Sequence, residues 1–461
     1  MTNREVELLA IGAGPSNLAL AVALEELCPD LAQNSLVIER GHDIAWQQGL
    51  LLPWVKSQVS FLKDLVTLRN PCSKFSFLNY LHDVGRLDDF VNMGNFTPYR
   101  LEIAEYFAWA AKMLTQVRLE LGRECVSVEP CRDAQGMVTG WLTGLADGST
   151  ITSRYLVVGA GRDPYVPPVL RGVPEQRIIH STQYRYRVAK LSAELPYRVA
   201  VVGSAQSAAE MVQSLQTDLP DCDIAWIMRS ISLRSYEANN KFTNEFYYPS
   251  FIDAFFEARP EGREQILEEM HRTNYSGVAP GLLESLYNDH YLDRLTGRRG
   301  KQMIAMTDIT GAREIDDEIA LELTDRRTGE VSELRRDLVF LGTGFVREMP
   351  TLVRGLASRL GLDRVSVNRR YRMDLGGPAT AACYLQGVNE ATHGIADSLL
   401  SVLASRAEDV TRDILAHRRH ASNGHHNGAH QGDIGQTLPL ATDGGGVPLP
   451  VTTDAGGVAR A

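Results

Sequence analysis

Two glycine-led turns carry the first legible chemistry of this 461-residue chain. The apolar run at 6–11 leads into Gly12-Ala13-Gly14-Pro15-Ser16-Asn17, and the run at 197–202 into Gly203-Ser204-Ala205-Gln206-Ser207. A tight strand-to-helix turn needs a residue free to take positive φ, and a second small residue lets an anion reach the first N–H groups of the helix. Each turn is therefore a candidate cradle for the pyrophosphate of a dinucleotide. The residues closing the next apolar runs differ in charge. Glu39 follows the run at 35–38 and can accept hydrogen bonds from two ribose hydroxyls; Arg229 follows the run at 223–228 and suits a 2′-phosphate. The first turn thus favours FAD, through Gly12, Gly14, Pro15, Ser16 and Glu39. The second favours NADPH, through Gly203, Ser204, Gln206, Ser207 and Arg229. Both depart from the full fingerprint. Asn17 stands at the third glycine of the first, and Ala205 at the second glycine of the second, where a methyl crowds an approaching pyrophosphate.

Such turns need β-α-β units around them. The runs at 6–11 and 35–38 frame a helix over 19–27, and those at 197–202 and 223–228 frame one over 208–216. Two further apolar strands end in glycines, one before Gly159 and Gly161, the other, at 338–341, before Gly342 and Gly344. They are read as marking where the chain leaves the first nucleotide domain and returns to it. The stretch 235–300 is aromatic and helical. The expected fold is α/β, with two Rossmann-like dinucleotide-binding domains and a smaller, mainly helical substrate-binding module. FAD is assigned to 1–165 and 338–419, NADPH to 166–234 and 301–337, and the module to 235–300. Beyond Arg419, Asn, Gly, His and Asp dominate, so 420–461 is expected to be a disordered tail. Its His425, His426 and His430 are read as solvated rather than metal-binding.

Composition narrows the function classes. The chain is 44% hydrophobic and 23% charged, as expected of a globular protein, and its formal charge of -10 argues against a nucleic-acid or anionic-membrane surface. The six cysteines are scattered with no C-x-x-C pair, which suits reduced thiols and neither a disulfide framework nor a zinc site. The polar N-terminus lacks a secretion signal, and no stretch of 18 apolar residues occurs, so a cytoplasmic protein without a metal is expected.

A third set of motifs lies outside the nucleotide turns. The run Gln58-Val59-Ser60-Phe61-Leu62-Lys63-Asp64-Leu65-Val66-Thr67-Leu68-Arg69-Asn70-Pro71 resembles the signature of the microbial N-hydroxylating flavin monooxygenases, the ornithine and lysine N-monooxygenases of siderophore-type pathways. The likeness continues through Asn95-Phe96-Thr97-Pro98-Tyr99-Arg100, Phe242-Thr243-Asn244-Glu245 and Thr273-Asn274-Tyr275-Ser276. It closes on Thr392-His393-Gly394-Ile395-Ala396-Asp397-Ser398-Leu399-Leu400-Ser401 and so spans nearly everything before the tail.

The resemblance implies roles for matching residues. Lys63 pairs with an amino-acid carboxylate, Asn244 and Asn274 hold the α-carboxylate and α-amino groups, and Ser398 and Leu399 lie near the side-chain amine. Trp46 and Gln58 line the flavin, with Gln58 on the oxygen-reacting side, while Ser207 and Arg229 contact NADPH. Gln58, Lys63 and Asn274 are the expected catalytic set. His393, a loop histidine beside glycine, is given no chemistry. The implied reaction uses NADPH and O2 to hydroxylate the side-chain amine of L-ornithine through a C4a-hydroperoxyflavin, in a homo-oligomer (tetramer or dimer). Gln47 and Gln48 stand where the family commonly has histidine, and residues 235–241 replace its usual acidic, proline-containing stretch. The second departure leaves L-lysine, putrescine and cadaverine open as substrates. Two rival classes are a two-nucleotide disulfide reductase or NADPH oxidase, the former lacking its cysteine pair here, and a non-catalytic nucleotide-binding module. An amine protonated near neutral pH must lose its proton before it attacks oxygen. The rate of the hydroxylation step, followed by rapid quench, is therefore expected to rise from mildly acid to mildly alkaline pH; a flat profile would contradict this.

Overall fold

The computed structural model describes residues 3–44, 46–236, 241–275, 277–297 and 301–424, without the side chains of 272 and 421–424. Residues Met1–Arg418 form one compact unit and Arg419–Ala461 a second. The expected tail and its His425, His426 and His430 lie outside the described residues from 425 onward, although the last helix, begun in the first unit, continues to Gly424 rather than stopping before 420.

The chain builds one sheet from β1 (Asn3–Ile11), β2 (Ser35–Ile38), β3 (Arg118–Glu120), β4 (Cys125–Arg132), β5 (Val138–Leu145) and β6 (Thr150–Val158). It builds a second from β7 (Ile178–His180), β8 (Arg198–Val202), β9 (Asp223–Ile227) and β10 (Lys301–Ile304). Then come β11 (Thr307–Ile315), β12 (Glu318–Asp325) and β13 (Val331–Arg336), a separate antiparallel sheet. Finally β14 (Leu338–Leu341) and β15 (Ala382–Leu385) rejoin the large sheets. The first sheet runs β3-β2-β1-β6-β5-β4, with β15 also on β6; its β3, β2, β1, β6 and β15 pair in parallel. The second, β10-β9-β8-β14-β7, is parallel throughout.

Period-two alternation explains the layers. Leu8, Ala10, Val37, Tyr155 and Val157 face one core, shared with α1 (Pro15–Leu27) and α2 (Arg100–Met113). Leu9, Ile11, Leu36, Ile38, Leu156 and Val158 face another. In the second sheet Val199, Val201, Ile224 and Trp226 pack on α3 (Gln206–Asp218), while Val339 and Leu341 face the three-stranded sheet. The helical stretch holds α4 (Pro260–Asn274) and α5 (Pro280–Thr296). The first core is completed by α6 (Leu403–Gly424).

Two expected boundaries are corrected. Residues 338–341 were assigned to the first nucleotide domain, yet β14 pairs with β8 and β7 of the second sheet. The chain returns to the first sheet at β15, a four-residue buried strand. Nor is 235–300 one module: Leu282 and Leu286 of α5 pack into the second sheet's core, whereas Tyr247, Ile252 and Met270 pack against Ile395, Ala396 and Val402.

The two sheets are tied by a buried ion pair. Arg100, opening α2, donates from Nη1 and Nη2 to the Glu210 carboxylate of α3 at 2.9 and 2.8 Å, and Nη1 also reaches the Leu50 carbonyl at 2.9 Å. Gln206 adds a hydrogen bond to Glu210 at 2.9 Å. Deleting one member of such a pair strands the other charge, so Glu210→Ala should destabilise the fold by about 3–5 kcal/mol in a urea titration.

Candidate functional site

In the first turn Gly12 has φ +89, and a Cβ there would lie 2.8 Å from the Gly159 carbonyl oxygen, so glycine is obligatory. A Cβ on Gly14, the N-cap of α1, would meet nothing within 4 Å, which leaves open space at the helix N-terminus. Pro15 occupies the first helical position, where its missing N–H costs no bond. Asn17 explains the absent third glycine: its buried amide donates to the Ile11 and Gly12 carbonyls at 3.0 and 2.7 Å and so pins the turn. Glu39 accepts from the Ala13 and Gly41 N–H groups, both at 2.8 Å, and each oxygen keeps a lone pair for a ribose hydroxyl. The Ser16 hydroxyl accepts from Arg406 at 2.7 Å. An open helix N-terminus beside a carboxylate fits the pyrophosphate and ribose of FAD.

The second turn is stricter at Gly203, with φ +128 and a Cβ position 2.5 Å from the Gly342 carbonyl oxygen. Ala205 caps α3 at φ -103 and ψ -175, extended backbone that needs no glycine. The Gln206 side chain turns inward, to Glu210 and to the Ala279 N–H at 2.8 Å, so it braces the turn. Ser204 and Ser207 are half-buried at the turn. Arg229 lies two residues past β9, exposed and without an ion-pair partner among the described residues, as a contact for a 2′-phosphate would be.

Beyond the turns, Trp46 is half-buried and meets Phe107 edge-on at 6.0 Å, while Gln58 is exposed in the turn-rich segment that also carries Lys63. Asp64 does not pair with Lys63. Its carboxylate is taken by the N–H groups of Val66, Thr67 and Phe77 at 2.9, 2.6 and 2.8 Å, and by the Thr67 hydroxyl at 2.8 Å. Lys63 is left half-buried with its ammonium 4.8 Å from the Tyr248 ring centre, and burial lowers its pKa.

Tyr248 follows Asn244, which sits half-buried in the short helix Lys241–Glu245. The Tyr247 hydroxyl is 2.5 Å from that of Thr273, next to Asn274 at the end of α4. Among the described residues the buried Asn274 Nδ2 has no hydrogen-bond partner. Tyr275 joins its hydroxyl to Ser398 Oγ at 2.8 Å and to Glu390. Leu399 packs on the small apolar cluster formed with Tyr247 and Met270. These contacts bring Lys63, Asn244, Asn274, Ser398 and Leu399 to one region from four separate segments. His393 is buried, stacked 4.1 Å from Tyr371, and pushed down to about 4 by desolvation. It stays neutral and holds the loop. Sequence reasoning missed Tyr248, Tyr275 and Arg406. Arg406 had a signal, since it lies among Leu403, Ala407 and Val410 on the apolar face of α6.

Residues 4–347 match the family model described as L-lysine 6-monooxygenase/L-ornithine 5-monooxygenase. The chain belongs to that family. It is 38% identical to the L-ornithine N(5)-oxygenase of Arthrobotrys oligospora over 441 residues, covering 91% of this chain and 90% of that one. Among solved structures it resembles the ornithine hydroxylase PvdA of Pseudomonas aeruginosa, with a TM-score of 0.83, 35% identity, and 90% and 100% of the two chains covered. It also resembles the Kutzneria ornithine N-hydroxylase KtzI, solved with reduced FAD, NADP+ and L-ornithine, at a TM-score of 0.82, 31% identity, and 90% and 100% coverage. The structure is thus a mixed α/β flavin monooxygenase with parallel sheets. None of its described helices is long and apolar enough to cross a membrane. If Arg229 reads the 2′-phosphate, Arg229→Ala should raise the KM for NADPH by roughly tenfold or more while leaving that for NADH nearly unchanged, as the loss of one charge-assisted contact requires. Parallel weakening of both cofactors would contradict the assignment.

Proposed function

We propose that this protein hydroxylates the side-chain amine of L-ornithine at N5, with FAD and NADPH as cofactors and O2 as co-substrate. The observations that carry the substrate choice are a cation without an ion-pair partner among the described residues, Lys63, and a buried donor likewise without a hydrogen-bond partner, the Asn274 amide. A zwitterionic amino acid supplies what both lack. Its carboxylate, once out of water, needs a charged partner and amide donors. A diamine brings Lys63 a second cation in place of an anion, and so fits less well. Ser398 and the Leu399 backbone then lie toward the far amine.

FAD in the first turn, reduced by NADPH held at the second, supplies activated oxygen. Gly12, Gly14, Pro15, Ser16, Glu39, Trp46 and Gln58 are the residues proposed to hold FAD, and Gly203, Ser204, Ser207 and Arg229 those proposed for NADPH. The protein's own work is to orient the amine, exclude water and fix the carboxylate end, with no protein nucleophile or metal needed. In this reading the two large sheets belong to the FAD and NADPH domains, Tyr247 to Asn274 belong to the substrate module, and the protein works as a homo-oligomer in the cytoplasm. A siderophore or a related product is the proposed destination of the hydroxylamine.

The test is hydroxylamine formed per NADPH consumed with ornithine, lysine, putrescine and cadaverine, for wild type and Lys63→Ala. Ornithine should give the highest yield. The variant should raise the KM for ornithine by at least about tenfold, the scale of one hydrogen-bonded charge, with anaerobic flavin reduction unchanged. Because burial depresses the Lys63 pKa, carboxylate affinity is present below that pKa and lost as pH rises through it. The wild-type KM for ornithine should therefore climb at the alkaline end. An unchanged KM in Lys63→Ala would remove Lys63 from the site.

A further inference from the structure

Arg406, on α6, is the most enclosed cation of the described chain, 1% exposed. Its guanidinium reaches in three directions. Nη2 donates to Ser16 Oγ at 2.7 Å, in the first turn of α1. Nε donates to Gln386 Oε1 at 3.2 Å, and Gln386 Nε2 donates in turn to Asn17 Oδ1 at 2.8 Å. Nη1 donates to the Asp397 carboxylate at 2.8 Å and also to the Asp397 carbonyl. The other Asp397 oxygen accepts from the Asn389 N–H at 2.7 Å, closing the loop that runs from 389 to 397. Ser398 is the next residue. One face of Arg406 lies 5.9 Å from the centre of the Tyr371 ring, which stacks on His393 of the same loop. Tyr371 holds a left-handed φ of 64, uncommon for a bulky residue, and its buried hydroxyl lacks a partner. Backbone strain and an unmet donor are tolerated here to place this ring between histidine and guanidinium.

We propose that Arg406 is a positioning residue that locks the loop presenting Ser398 to the turn that receives the flavin pyrophosphate, and so fixes the distance between substrate amine and flavin. This rests on the substrate reading above, because it needs Ser398 at the amine. The connection is continuous: the Ile11 and Gly12 carbonyls to Asn17, to Gln386, to Arg406, to Asp397, with Ser16 as a second strand of the same tie. Its charges are balanced one to one, and both are out of water, with Asp397 at 1% exposure. A partner swap is therefore closed to solvent ions, and the geometry has one arrangement. Oxygen activated by a bound flavin would be lost as H2O2 if the amine were out of place, whereas flavin reduction by NADPH held at the other turn would not depend on Ser398.

The experiment uses the full-length, FAD-loaded protein with two mild variants. Arg406→Lys keeps the charge but lacks the planar fork that serves three partners. Gln386→Met leaves the Arg406–Asp397 and Arg406–Ser16 contacts and removes the Gln386 bridge from Arg406 Nε to Asn17. In both, hydroxylamine formed per NADPH oxidised should fall roughly tenfold or more, the scale of a misplaced reacting group, with H2O2 rising to match. Anaerobic flavin reduction and the KM for NADPH should stay within about twofold. Independently of turnover, amide hydrogen exchange across 389–399 should quicken in both variants, with and without FAD. The yield is read with ornithine, or, should wild type not hydroxylate ornithine, with whichever of lysine, putrescine or cadaverine it does hydroxylate; that failure would count against the substrate reading alone. Unchanged yield and exchange in both variants overturn the tie. So does a hydroxylation rate that falls only in proportion to flavin reduction, with the yield per NADPH unchanged, since that marks a general loss of structure.

Discussion

Two charges that have left water hold the large sheets of this protein in register. Arg100 and Glu210 would each be costly to bury alone, and their mutual attraction offsets that cost only because the geometry is bidentate and the spare donor finds the Leu50 carbonyl. Arg100 begins α2, whose apolar face packs on α1 and the first sheet; Glu210 lies one turn into α3, on the second. Gln206 extends the pair to the start of α5 through the Ala279 N–H. A reaction that passes hydride from one dinucleotide to another needs those two helix N-termini at a fixed separation. The ion pair joins α3 to α2, which packs on α1, and so links the two turns through one intervening helix.

The same economy recurs at the turns. Gly203 lies so near the Gly342 carbonyl, and Gly342 so near Ala208, that no side chain fits between β8, β14 and α3. In both turns a glycine is pressed against a neighbouring strand-end carbonyl, Gly12 on Gly159 and Gly203 on Gly342, and a side-chain amide braces the bend, Asn17 in the first and Gln206 in the second. The two nucleotide sites thus share both a topology and a way of being held rigid. The substrate region is built otherwise, from loops and helix ends joined by tyrosines: Tyr248 under Lys63, Tyr247 to Thr273, Tyr275 to Ser398. Its members come from four segments far apart in the chain, so its shape is only as firm as the cores beneath each segment.

That difference governs what could be read without coordinates. The strands at 6–11, 35–38, 197–202 and 223–228 were legible to within a few residues, because a parallel strand buried on both faces is a continuous apolar run and its turn demands glycine. The second sheet's β14 had the same signature and was given to the wrong domain. An apolar run states that a strand is buried, not which neighbour it pairs with. β15 was missed because four residues, Ala382 to Leu385, follow a stretch of glycine and alanine without a helix to frame them. Of the proposed site residues, Glu39 and Arg229 are picked out by position at strand ends. Lys63, Asn244, Asn274 and Ser398 are picked out only through resemblance, since nothing local in sequence says that these segments meet. Asp64, next to Lys63 in the chain, does not pair with it but is caged by the Val66, Thr67 and Phe77 N–H groups and the Thr67 hydroxyl, which sequence order alone does not reveal.

That cage has a consequence for how a substrate arrives. With Asp64 spent on four donors, Lys63 projects an uncancelled positive field into its region, on a protein whose overall charge is negative. An incoming ornithine is itself a net cation with one anionic end, so if Lys63 receives the carboxylate as proposed, the far field would draw it toward the protein and the near field would turn it, carboxylate foremost, before any contact forms. Orientation would then be chosen during diffusion, within a Debye length of about 8 Å at physiological salt. Ornithine would thus reach the oxygen-reacting chemistry already facing the right way.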